Sequence, residues 1–139
     1  MSPDQAREEL ARRADAIEGG YEMMLAYAAQ GLASDQGAAN SAQLRDHLTR
    51  FDTALTGLAQ VYRDAAGALG VGPQEALEGV LKVVETDAAA TQSMLRLLLG
   101  QPGISSQMVD NLNASIHVRA LLTDVFVVDE ILKSRGSPA

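Results

Sequence analysis

The sequence predicts an all-α protein, an up-down-up-down four-helix bundle with long helices. Four stretches, each longer than twenty residues, repeat an apolar or small residue every three or four positions, and this spacing places an apolar stripe along a helix. Glycine, proline and capping residues mark the ends of these stretches. The connections are therefore short, and we expect successive helices to run antiparallel within a single domain over residues 1–139.

The first helix is predicted over residues 3–31. Ser2 and Gln5 form a capping-box pattern at its start, with Pro3 at the first helical position. Gly31 suits its end, because glycine readily adopts the left-handed conformation that stops a helix.

The second helix is predicted over residues 41–69, after the one substantial loop of the chain. Asn40 and Gln43 repeat the capping-box pattern at its start, and Gly70 marks its end.

The third and fourth helices are predicted over residues 73–99 and 105–134. Pro73 suits a helix start and Gly100 a helix end, and either Ser105 or Ser106 can cap the fourth helix. The main stripe of the fourth helix, which we expect to face the core, consists of Val109, Leu112, Ile116, Ala120, Thr123, Val127 and Ile131.

The last two helices also carry more apolar residues than one core-facing stripe requires. The surplus residues are Val80, Val83, Met94 and Leu97 in the third helix and Val118, Leu121, Val125, Val128 and Leu132 in the fourth. Exposed apolar patches of this length are usually covered, so we predict that they form an interaction surface, either with a second copy of the chain or within a larger complex. The alternative is an unusually wide core contact.

Three glycines fall inside predicted helices, where each costs up to about 1 kcal/mol relative to alanine and so needs a tertiary reason. Gly19 and Gly20 lie in the first helix and Gly57 in the second. Close packing of the two helices would explain them. The functional alternative is a small pocket or helix distortion beside Tyr21, Glu22 and Met23.

Composition excludes several classes of protein. The chain has 18 acidic and 11 basic residues, a net charge of −7, and no basic cluster that would bind phosphates, so nucleic acid is not an expected partner. It has no cysteine, which excludes disulfides and thiolate metal sites. No apolar run approaches the ~20 residues that span a bilayer, and the first residues do not resemble a signal peptide. We expect a cytoplasmic protein without membrane insertion.

Neither histidine fits a metal or phosphotransfer motif well. A di-iron bundle needs Glu-x-x-His, but Leu44 precedes His47 and Ala114 precedes His117 at that spacing. We predict no metal and no cofactor; were a metal present, Glu18, Glu22 and His47 would be the first ligands to test.

One motif resembles the histidine-phosphotransfer domains, in which an exposed histidine is followed by Lys at i+3 and Gly at i+4. Here Arg50 follows His47 at i+3, and Phe51 occupies i+4. His117 has Ala120 and Leu121 at the corresponding positions.

The expected function is therefore a non-enzymatic interaction protein, a self-associating small subunit, adaptor or scaffold. The alternatives are a ligand- or metal-binding bundle with its site near the glycines and, third, a phosphotransfer-like signalling domain.

Overall fold

The computed structural model describes residues 1–136, which form six helices and no strand. The helices are α1 (Pro3–Ala28), α2 (Ser41–Leu55), α3 (Leu58–Leu69), α4 (Gln74–Leu99), α5 (Ser106–Ala114) and α6 (Ile116–Gly136). The all-α prediction is confirmed. The prediction of four unbroken helices is wrong, because residues 41–69 and 105–134 are each divided between two helices. Residues 137–139, which the predicted domain includes, lie outside the described residues.

The first break lies at Thr56 and Gly57. Thr56 is extended, and Gly57 has a φ of 69°, in the left-handed region that glycine tolerates best. The end of α2 leaves carbonyl groups without helical partners, and the side chain of Arg13 in α1 donates to two of them, the carbonyls of Ala54 (3.0 Å) and Thr56. Gly57 is therefore a helix break and not, as predicted, a mid-helix glycine.

The second break lies at Ser115, where the sequence has no glycine or proline to indicate it. Its backbone turns away from the helix (ψ 133°), and its Oγ accepts a hydrogen bond from the amide of His117 at 3.2 Å. A serine that bonds to the backbone two residues later offers the chain an alternative to the helical hydrogen bond. The same Oγ lies 3.3 Å from Sδ of Met94 in α4.

Contacts between neighbouring helices show that they run antiparallel. Arg13 near the start of α1 reaches Ala54 near the end of α2. Along α4, Arg96 pairs with Asp52 of α2 at 3.1 Å, while Glu78 pairs with Arg63 of α3 at 2.8 Å.

The core lies between these helices and includes three large aromatic side chains, each at most 1% exposed. They are Tyr27, Phe51 and Tyr62.

The capping predictions were right at two of three helix starts. Ser2 and Gln5 form the predicted capping box, and Ser105 accepts a hydrogen bond from the amide of Met108. Asn40 precedes α2 but makes no side-chain capping bond, so its predicted box with Gln43 does not form. Its amide donates to the side chain of Gln30 instead.

A buried carboxylate holds the loop between α1 and α2 in place. Asp35 is 1% exposed and accepts hydrogen bonds from Ser41 Oγ, Arg45 Nε and the amide of Ile104, each at 2.7 Å. The hydrogen bond from Arg45 is the main cause that holds the pKa of Asp35 well below its usual range.

Backbone and hydroxyl groups extend this cluster across to α5. The Tyr27 hydroxyl donates to the carbonyl of Ile104 at 2.5 Å, and Ser106 Oγ donates to the carbonyl of Tyr27 at 2.7 Å. Leu32 and Ser106 also bond through their backbones at 2.8 Å. We call the whole set, Tyr27, Leu32, Asp35, Ser41, Arg45, Ile104 and Ser106, the polar clasp.

Candidate interaction surface

One flank of α4 is largely apolar although it lies beside the buried stripe and is partly exposed. The buried stripe of α4 includes Leu81, Val84 and Ala88. The flank beside it consists of Ala76, Val80, Val83, Asp87, Ala90, Met94 and Leu97, spaced three or four residues apart and exposed or half-buried. Val80, Val83 and Leu97 are 41%, 51% and 70% exposed. These three residues of the predicted interaction surface therefore lie at the surface, and Met94 beside them is half-buried.

In α6 the predicted stripes are exchanged. The residues predicted to form the interaction surface, Val118, Leu121, Val125, Val128 and Leu132, are at most 5% exposed and belong to the core. Three residues predicted to face the core, Ile116, Val127 and Ile131, are 76%, 51% and 49% exposed. The break at Ser115 explains the exchange. An unbroken helix would continue to bury the face that carries Val109 and Leu112 in α5. Because the helix is interrupted, α6 buries a different face.

The exposed flank of α6 adjoins that of α4. Ser115 contacts Met94 at one end, and Thr91 Oγ of α4 donates to the carbonyl of His117 at 3.4 Å. The α6 flank consists of Ile116, Ala120, Thr123, Asp124, Val127 and Ile131. We call the two flanks together the α4–α6 face.

A groove of about 170 Å³ lies at the end of this face where α4 begins. Its lining contains no charged or polar side chain and consists of Val71, Gly72, Pro73, Ala76, Leu77, Val80, Val127, Val128, Ile131 and Leu132.

Two carboxyl groups, Asp87 and Asp124, share a hydrogen bond in the middle of the face. Burial, the bond to Asp87 and the charge of Asp87 raise the pKa of Asp124 to about 7. Among the described residues, Oδ2 of Asp124 is buried without a hydrogen-bond partner. The pair therefore retains a proton at pH values where an exposed aspartate has lost it.

A second half-buried acid, Asp129, lies on the other side of α6. Asp129 accepts a hydrogen bond from the Tyr62 hydroxyl, and burial is the main cause that raises the pKa of both groups. The negative charge of Glu18 in α1 raises the pKa of Asp129 further. Glu18 itself is exposed, as is Glu22.

The glycines of α1 lie where α1 crosses α2. A Cβ atom added to Gly20 would lie 2.6 Å from Cδ2 of Phe51, whereas one added to Gly19 would lie 3.5 Å from Nδ1 of His47. Gly20 is therefore the point of close helix packing. Gly57 lies at the helix break, with open space where its Cβ would be, and Tyr21 packs at the edge of the core.

An open groove of about 560 Å³ does lie beside Gly19. It is lined by Glu9, Arg12, Arg13, Asp15, Ala16, Gly19, His47, Thr49, Arg50, Thr53 and Ala54. Its three arginines already have carboxylate partners: Arg12 and Arg13 pair with Glu9, and Arg50 pairs with Asp46.

The residues considered for a metal do not converge. Within residues 1–136, no group of three or more His, Asp and Glu side chains is placed to hold an ion. His47 lies half-buried in α2, and His117 is exposed at the start of α6. None of the helices in the described part of the chain is both long and apolar enough to cross a lipid bilayer.

Sequence reasoning placed the exposed apolar residues of α4 at the surface but assigned the exposed apolar residues of α6 to the core. A signal was present, since residues 116–132 carry two apolar stripes and only one of them can continue the stripe of α5. The comparisons with known proteins add no further assignment: no protein-family model, curated protein or solved structure matches this chain.

Proposed function

We propose that this chain is a non-enzymatic, cytoplasmic interaction protein that self-associates through the α4–α6 face. The observation that carries the proposal is the set of six exposed apolar side chains on two adjoining helices, around the half-buried pair Asp87 and Asp124. A helix at the surface of a single domain normally keeps its outer flanks polar, and here two neighbouring flanks depart from that pattern side by side.

The size of the surface suits an interface. Six apolar side chains of the face are 41–76% exposed, and together they present roughly 500–600 Å² of apolar surface, at the upper end for the largest patch on a monomer. One partner in a standard interface contributes about 800 Å², a little over half of it apolar. The face therefore offers about the apolar area that one side of a stable dimer needs.

The chemistry of the surface favours a second copy of the chain as the partner. The α4–α6 face contains no lysine or arginine. Its only carboxyl groups, Asp87 and Asp124, share a hydrogen bond with each other. A strongly charged partner would thus find few complementary charges here. A second copy presents the same apolar surface and would cover both faces at once.

The test is sedimentation of the wild type and of a variant that alters only exposed residues. Wild type is expected to sediment as a dimer or larger assembly at micromolar concentration. Leu97→Lys with Ile116→Lys is expected to weaken association about a hundredfold or more while keeping the helicity of the wild type, because both side chains lie outside the core.

A matched control carries the same added charge elsewhere. Leu25 and Phe126 are 44% and 54% exposed, and neither belongs to the α4–α6 face. Changing both to Lys is expected to leave the assembly intact. A monomeric wild type would refute the proposal, as would equal dissociation by both pairs of substitutions.

The groove beside Gly19 supports a second candidate function, binding of a small anion by Arg12, Arg50 and His47. Each arginine would have to leave its present carboxylate partner, which is why we rank this function below self-association. Titration calorimetry with inorganic phosphate, compared between wild type and Arg50→Gln, tests it. Incubation with acetyl phosphate tests the phosphotransfer alternative, and His47 is the residue to monitor for phosphorylation.

A further inference from the structure

The two ends of the α4–α6 face differ in shape. At one end Leu97 and Ile116 are the most exposed apolar side chains of the face, at 70% and 76%. The contact between Ser115 and Met94 holds this end of α6 against α4, so Leu97 and Ile116 lie at the same end of the face, and we call this pair the projection. At the other end lies the apolar groove that includes Pro73, Val80 and Val127.

The projection and the groove are far enough apart to act as separate elements. At 1.5 Å per residue, Val80 and Leu97 lie about 25 Å apart along α4. The projection of a chain therefore cannot fill the groove of the same chain, but it can fill that of a second copy.

We propose that two copies pair antiparallel, with Leu97 and Ile116 of each copy seated in the apolar groove of the other. This inference rests on the proposed self-association and specifies its geometry. In a two-fold interface the same surface is used twice, so a projection needs its groove on the same face. A two-fold axis that lies in the plane of contact and runs across the helices reverses the direction of α4, and it places each projection over the opposite groove.

The axis then crosses the face midway between Val80 and Leu97, close to Asp87 and Ala90. The alternative, an axis that runs along the helices, would place projection against projection and leave both grooves empty. The two arrangements differ most at the ends of α4 and least near its middle.

Spin labels on single introduced cysteines distinguish these arrangements, because the chain has no cysteine of its own. Gly79 is exposed near the start of α4 and has open space at its Cβ position, so Gly79→Cys fits the fold. Thr86→Cys provides the matched label near the proposed axis, because Thr86 is exposed on α4 and lies outside the α4–α6 face. Pulsed electron resonance measures the distance between the two copies of each label.

In antiparallel pairing the labels at residue 79 are expected about 30 Å apart, and those at residue 86 less than about 20 Å apart. Adding Leu97→Lys and Ile116→Lys to either labelled chain should abolish the dipolar signal. Short distances at both positions would overturn the antiparallel geometry, and so would long distances at both.

Sedimentation of the labelled proteins separates the two possible failures. A dimer with the wrong distances overturns this inference and leaves self-association standing. A monomer overturns both.

Discussion

Adjacent glycines in α1 are expected to respond in opposite directions to the same substitution. In Gly20→Ala the new Cβ would lie 2.6 Å from Cδ2 and 2.8 Å from Cβ of Phe51, well inside the 3.5–4.0 Å at which carbon atoms normally meet. Forcing α1 and α2 apart costs about 1–3 kcal/mol, and the gain in helix propensity returns up to about 1 kcal/mol. We expect Gly20→Ala to lower the free energy of unfolding by about 1–2 kcal/mol.

Gly19→Ala is the matched control, because its new Cβ would meet only the ring of His47, with Nδ1 at 3.5 Å and Cε1 at 3.7 Å, both ordinary contact distances. It should gain the helix propensity of alanine without the collision and raise the free energy of unfolding by about 0.5–1 kcal/mol.

Urea denaturation at one protein concentration, followed by circular dichroism, measures both variants. Neither position lies on the α4–α6 face, so sedimentation should be unchanged. Equal effects of the two substitutions, or stabilisation by Gly20→Ala, would refute the assignment of Gly20 as the point of close packing.

Three further predictions concern buried and ionisable residues. Asp35→Ala should lower the free energy of unfolding by about 3 kcal/mol, the lower end for a broken buried ion pair because the partner side chain is 31% exposed. The pKa of Asp35 is lowered in the folded state, so the stabilisation from its charge is present above about pH 4 and is lost as the pH falls further. The free energy of unfolding of the variant should therefore lack this decrease in acid. The pKa of Asp124 is raised to about 7, so the stabilisation from its proton is present below about pH 4 and is lost as the pH rises through 7. Asp124→Asn should therefore be more stable than wild type at pH 8, by about 2 kcal/mol after allowance for partial exposure. In urea titrations its free energy of unfolding should change less with pH between pH 5 and 8 than that of the wild type. The same pH dependence in both proteins would contradict the shared proton. Changing Val125 and Val128 together to Lys should unfold the chain, since both are at most 5% exposed, and a folded, merely dissociated protein would show that they face a partner.

Helical periodicity was sufficient to predict an all-α chain, because apolar spacing reports directly on which residues can share a helix face. It could not predict the breaks. Gly57 looks the same in sequence whether it packs against a neighbour or adopts a positive φ, and Ser115 breaks the helix through a hydrogen bond that depends on local geometry. The missed break at Ser115 had the larger consequence, because the two apolar stripes after it were assigned to the wrong faces.

Polar contacts between distant residues were beyond sequence reasoning for a different reason. Asp35 and Ile104 meet only after four helices have packed, and nothing in the local sequence of either predicts the other. The pairing of Asp87 with Asp124 is of the same kind. The sequence of α6 alone does not reveal that the neighbouring helix presents a second carboxyl group beside Asp124.

The polar clasp has a consequence for how the molecule opens. Loops usually exchange their amide hydrogens quickly, because they can open without disturbing the core. The amides of Leu32, Ile104 and Ser106, however, are bonded to groups from distant parts of the chain. Releasing them requires the loop after α1 to separate from the segment before α5. These loop amides should thus exchange as slowly as amides in the centre of α1, and the end of the molecule richest in irregular structure would be among the last to open.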